Sequence, residues 1–206
     1  MTLGALAGHR IVPVVVLDDP DRAVELARAL VAGGIGCAEV TLRTPAGLDA
    51  IRAMAEVPDF TVGAGTVIDR AQLDAVLAAG ARFVVSPGYD DELVEATRAA
   101  GIGVLPGVAT ASEVQRAVRA GLDAVKFFPA DRLGGLDTIA ALAGPFPRMG
   151  FVPSGGVTAA SAAEYLAHPS VPAVSGSWMA PRAVVADGDF GLVERLAAEA
   201  ARIGRP

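Results

Sequence analysis

The chain has 206 residues, 52% of them hydrophobic and only 19% charged, which suits one domain with a full core and is too apolar for a disordered segment. Its formal net charge of −6 leaves no basic footprint for nucleic acid, so a bound anion must be held by a local site and not by the global field. The single cysteine, Cys37, excludes an intramolecular disulfide framework and a multi-cysteine metal site. The two histidines, His9 and His168, lie far apart beside turn-like or terminal sequence and read as surface or capping residues, so no metal is expected.

The first apolar run, 11–17, ends at Asp18 and Asp19 and is too short for a membrane span or a signal peptide, which points to a cytoplasmic protein. From there short β-branched runs alternate with Ala-, Leu- and Arg-rich amphipathic segments. Strands are predicted at 11–17, 37–42, 61–64, 82–86, 103–106, 124–128, 150–153 and 173–176. Helices are predicted at 21–32, 46–55, 69–79, 90–100, 112–120, 136–142, 159–166 and 190–203, with glycines at 33–34, 80, 101 and 121 as C-terminal stops. No linker or low-complexity tract divides residues 1–206. The expected architecture is one α/β domain, a (β/α)8 barrel with short loops and a short N-terminal helical segment; an open doubly wound sheet is the alternative. In a barrel the active site lies at the C-terminal ends of the strands.

Of the 17 basic residues 16 are arginine, and Lys126 is the only lysine. It sits within an apolar strand, where two-residue alternation puts Ala124, Lys126 and Phe128 on one face and Val125 and Phe127 on the other. A guanidinium stays protonated, whereas an alkylammonium among apolar neighbours loses its proton more readily and can attack a carbonyl to form a Schiff base. A structural ion pair, or a lysine that binds phosphate as a point charge, would place an amine there equally well.

The second strand carries Glu39, Thr41 and Arg43 on one face, an expensive arrangement in a buried strand unless the groups are paired or used. Glu39 lies deeper, where a carboxylate beside an amine can shuttle protons. Arg43 falls at the expected mouth, where its planar fork suits a substrate carboxylate. A pairing that merely settles buried charge remains the alternative. Loops 153–158 and 175–178 follow the seventh and eighth strands, the positions where barrel enzymes bind phosphate on exposed backbone N–H groups. Thr66 adds a hydroxyl at the mouth, and the turns at 86–88 and 106–107 either line the pocket or close it.

Six motifs occur in order: EVTLRT at 39–44, GAGTV at 63–67, SPG at 86–88, KFFPA at 126–130, SGG at 154–156 and GSW at 176–178. Together they resemble the 2-keto-3-deoxy-6-phosphogluconate (KDPG) and 4-hydroxy-2-oxoglutarate aldolase family over nearly the whole chain. The resemblance implies a trimeric, metal-independent class I aldolase with no cofactor. Its substrate is a phosphorylated keto acid cleaved to pyruvate and glyceraldehyde 3-phosphate, with 4-hydroxy-2-oxoglutarate as a second substrate. It further implies Lys126 as the Schiff-base lysine, Glu39 as general acid and base, and Arg43 with Thr66 as carboxylate ligands. Gly155, Gly156 and Ser177 match the phosphate loop, and Pro87 and Phe128 match pocket walls. Ser154 stands where a threonine is frequent and Asp131 where a glutamate is frequent. The alternatives are a galactonate-type relative, a noncovalent phosphate-binding barrel enzyme, and a sugar-phosphate sensor.

Overall fold

A computed structural model of the chain describes residues 4–6 and 8–204. A single 3-10 turn, Gly4–Leu6, stands where the helical N-terminal segment is expected. The regular elements then follow as β1 (Ile11–Val15), α1 (Ala23–Ala32), β2 (Cys37–Thr41), α2 (Gly47–Ala55), β3 (Thr61–Gly65), α3 (Arg70–Ala78), β4 (Phe83–Val85) and α4 (Asp91–Ala99). The chain continues through β5 (Gly103–Leu105), β6 (Gly107–Val108), α5 (Ala111–Arg119), β7 (Ala124–Phe127), α6 (Gly135–Ala143), β8 (Gly150–Pro153), α7 (Ala159–Ala167) and β9 (Val174–Gly176). Two helices close it, α8 (Arg182–Asp187) and α9 (Phe190–Ile203).

All strand pairs are parallel. Six strands lie in the order β5-β4-β3-β2-β1-β9, and a second ladder runs β6-β7-β8. The strand expected at 103–106 is β5, which ends before Pro106, a residue with no N–H to give a ladder, and the chain resumes as the short β6 beyond it. The carbonyl of Pro106 still accepts from Lys126 N at 2.9 Å, so the two ladders are hinged there. At the other margin β8 packs beside β9 with no backbone ladder between them. The architecture is therefore a curled parallel sheet under helices, and an uninterrupted eight-strand ring is not what the hydrogen bonds draw.

Local chemistry explains the elements. Asp69, Asp90 and Thr110 each accept a backbone N–H in the first turn of the helix that follows, and Thr110 forms a reciprocal capping box with Glu113. The outer layer of core is apolar: Leu26, Leu30, Ile51, Met54, Leu73 and Ile139 are fully buried under the sheet. Helix α9 packs on α1, and Gly33 permits the contact, since a Cβ there would sit 2.5 Å from Ala197 Cβ and 2.7 Å from the Glu194 carbonyl. Within the sheet's concave side Phe83 fills the space that Gly63 leaves open. His168 is the C-cap of α7 and its Nδ1 accepts from Ser170 N, a capping role.

Candidate active site

The C-terminal ends of the strands enclose a cavity of about 450 Å³. Strand β2 contributes Glu39 and Thr41 from its buried inner face, with Arg43 just beyond its end. Strand β7 contributes Lys126, followed by Phe128. Thr66 and Pro87 enter from the ends of β3 and β4, Gly155 and Gly156 from the loop after β8, and Ser177 from the loop after β9. All nine residues singled out from the sequence thus line one cavity, although they come from six different strand ends.

At its base the Lys126 Nζ lies 3.1 Å from Glu39 Oε1, with the residues only 6% and 1% exposed. The second carboxylate oxygen, Glu39 Oε2, is buried without a hydrogen-bond partner among the described residues. A buried ionic oxygen left unpaired is costly, so a polar group that enters the cavity has a ready acceptor. The amine also stands 5.2 Å from the centre of the Phe128 ring, within cation–π range. Glycine creates the room for this pair: Gly65, beside Thr41 in the β2–β3 register, would place a Cβ 2.3 Å from Glu39 Oε1.

Thr41 shares the inner face, yet its hydroxyl is already used, donating to the Val15 carbonyl at 3.1 Å and tying β2 to β1. Thr66 adopts φ 61°, a left-handed conformation unfavourable for a β-branched residue, directly at the rim. Ser86 Oγ donates to the Gly88 carbonyl and closes the turn that presents Pro87. Gly107 lies so close to that turn that a Cβ would meet the Pro87 carbonyl at 2.1 Å. The loop 154–156 is fixed from below: Ala130 N donates to Ser154 O at 2.8 Å and Asp131 N to Gly155 O at 3.1 Å. Gly155 and Gly156 have φ of 88° and 79°, and the Asp131 side chain fills the space a Cβ at 156 would need. Asp131, unassigned from the sequence, is thereby a packing partner of the glycine loop.

Sequence reasoning missed several lining residues, among them Val14 and Val16 at the end of β1 and Arg182 at the start of α8. The valines read only as strand, and nothing distinguishes Arg182 from fifteen other arginines. Arg182 Nε and Nη2 donate to the two oxygens of Asp18 at 2.7 and 2.5 Å, and this contact holds the Asp18 carboxyl below its usual pKa. Among the described residues no group of three or more His, Cys, Asp or Glu side chains could hold a metal ion. No helix among them is long and apolar enough to cross a membrane.

The parallel α/β sheet that brings this buried amine and carboxylate together is a fold shared with solved aldolases. Residues 4–196 match the family model "Aldolase: KDPG and KHG aldolase", and the chain belongs to this family. It is 47% identical to the 2-dehydro-3-deoxy-phosphogluconate aldolase of Pseudoalteromonas atlantica over 191 residues, 92% of this chain and 89% of that protein. It is 45% identical to the KHG/KDPG aldolase of Escherichia coli, covering 92% of this chain and 90% of the relative. Among solved structures it is similar to the KDPG aldolase of Legionella pneumophila, with pyruvate captured as a covalent carbinolamine, at a TM-score of 0.89 and 40% identity over 92% of each chain.

Proposed function

We propose that this chain is a class I aldolase that cleaves 2-keto-3-deoxy-6-phosphogluconate to pyruvate and glyceraldehyde 3-phosphate, and 4-hydroxy-2-oxoglutarate to pyruvate and glyoxylate. The observation that carries the reading is the buried Lys126–Glu39 contact at the base of the cavity. Family membership and the relatives' activities support it.

With its proton passed to Glu39, the Lys126 amine attacks the C2 ketone to give a carbinolamine. Glu39 returns a proton to the leaving hydroxyl, water departs, and a protonated imine remains. Glu39, directly or through water, then takes the C4 hydroxyl proton. The C3–C4 bond breaks, its electrons flow into the iminium, and the aldehyde leaves an enamine behind. Glu39 reprotonates the enamine at C3, and water hydrolyses the resulting imine to release pyruvate and the free amine. Arg43 and Thr66 hold the keto-acid carboxylate, and Gly155, Gly156 and Ser177 hold the distal phosphate. Pro87 and Phe128 wall the reacting carbons from solvent, where low polarity strengthens each of these contacts.

In this reading residues 1–206 form a single barrel domain, closed as eight strands by the Pro106 hinge and the β8–β9 margin. The working assembly is a homotrimer in the cytoplasm, and its partners are small-molecule keto acids. The decisive test is incubation with pyruvate and sodium borohydride followed by peptide mass spectrometry. A reduced pyruvyl adduct on the Lys126 peptide is expected; a folded, pyruvate-saturated chain without one would rule the covalent scheme out.

A further inference from the structure

Three cationic side chains line the cavity, and the mechanism above occupies two of them, Lys126 at the base and Arg43 beyond β2. The third is Arg182. Strand order β2-β1-β9 fixes the sequence of groups around the rim, so that Arg43 follows β2, Asp18 follows β1, and Ser177 and Arg182 follow β9. Arg182 therefore stands on the side of Ser177, with β1 between it and Arg43. The glycine and serine groups on that side offer neutral donors only, and the chain as a whole carries a net charge of −6. A dianionic phosphate brought there has one cation to meet.

The way Arg182 is held leaves it able to do so. Asp18 grips the guanidinium side-on, through Nε and Nη2, at 2.7 and 2.5 Å. A guanidinium carries five N–H donors in a rigid fork, and among the described residues both hydrogens of Nη1 and the second of Nη2 meet no partner along its end-on edge. That edge has the geometry for a second, bidentate contact to a tetrahedral oxyanion. Both side chains of the pair are substantially exposed, at 58% and 47%, so the contact with Asp18 orients the guanidinium without burying it.

We infer that Arg182 is a specificity-determining residue of the aldolase site, its end-on edge binding the phosphate of phosphorylated substrates. This rests on the aldolase reading above. The test compares the wild-type chain with Arg182→Ala and Arg182→Lys on KDPG and on the unphosphorylated 2-keto-3-deoxygluconate, with borohydride trapping of pyruvate in each protein. The expected result for Arg182→Ala is a loss of roughly 10–100-fold in kcat/KM for KDPG, carried by KM, the size of one charge-assisted contact. The unphosphorylated substrate should change far less, and Arg182→Lys should recover only part of the loss because a point charge replaces the fork. A change within about twofold on KDPG, or an equal loss on both substrates, would overturn the assignment of Arg182 while the trapped adduct left the aldolase reading standing. A wild-type chain that traps no pyruvate overturns both.

Discussion

Gly65 and Glu39 occupy neighbouring strands so closely that the carboxylate fills the volume a side chain at 65 would take: a Cβ there would lie 2.3 Å from Oε1 and 2.6 Å from Cγ. Gly65→Ala should therefore push the carboxylate off Lys126 and cut kcat by at least tenfold, while overpacking costs about 1–3 kcal/mol of stability. Steady-state kinetics beside denaturant unfolding measures both. Wild-type kcat in a folded Gly65→Ala protein would show that the close contact does not position Glu39.

Lys126→Arg keeps the charge and removes the amine nucleophile. Turnover and pyruvate trapping should both vanish. Stability offers a second measurement. Lys126→Met strips Glu39, 1% exposed, of its ion-pair partner, and should cost about 3–5 kcal/mol near neutral pH. Adding Glu39→Gln to Lys126→Met should restore much of that loss, because the uncompensated charge is gone. Glu39→Gln alone should fold and slow turnover by roughly 10²–10⁴-fold. A Glu39→Gln protein that folds normally and turns over at the wild-type rate would reduce the pair to a structural contact.

Thr66 holds φ 61° at the rim, a conformation that costs a β-branched residue about 1–3 kcal/mol. Thr66→Gly relieves that cost, offset in part by the freer unfolded chain, so stability should be unchanged or raised by up to about 1 kcal/mol. The same change deletes the proposed carboxylate-binding hydroxyl and should raise the KM for keto acids several-fold. Thermal unfolding and KM together decide it, since a purely structural Thr66 would move the first and spare the second.

The barrel-like order of elements is legible because each strand carries β-branched residues and each helix but α2 has a side-chain cap or a C-terminal glycine. Lys126 and Glu39 are legible for a different reason. Period-two alternation puts charged groups on faces that must be buried, and a lone lysine in an arginine-rich chain has no surface explanation. Arg182 is not legible, because its place in the cavity depends on how β9 returns beside β1 and not on any local pattern. The break at Pro106 is visible in the sequence as a proline yet reads as a strand end, since only the β6–β7 ladder shows the strand resuming beyond it. Asp131 escapes assignment similarly: its partner is the empty space of Gly156, and an absent Cβ leaves no pattern to read.

Cys37 gives the pH dependence its clearest handle. The thiol is fully buried in β2, donates to the Ile11 carbonyl at 3.7 Å, and is pushed by desolvation from 9.0 up to about 12. Because the folded value is raised, the neutral thiol stabilises the fold fully below pH 9, and that contribution drains away as pH climbs from 9 towards 12 while the unfolded thiol ionises. Cys37→Ala removes this linkage, so its stability should fall less steeply than the wild type's between about pH 8 and pH 10.5. Denaturant midpoints across that range test the difference of slopes. A thiol reagent at about pH 8 should likewise leave the native chain unlabelled and react only on unfolding, because reaction needs an exposed thiolate. Rapid labelling of Cys37 in the native enzyme would mean that β2, and with it the strand carrying Glu39, opens far more readily than its burial implies.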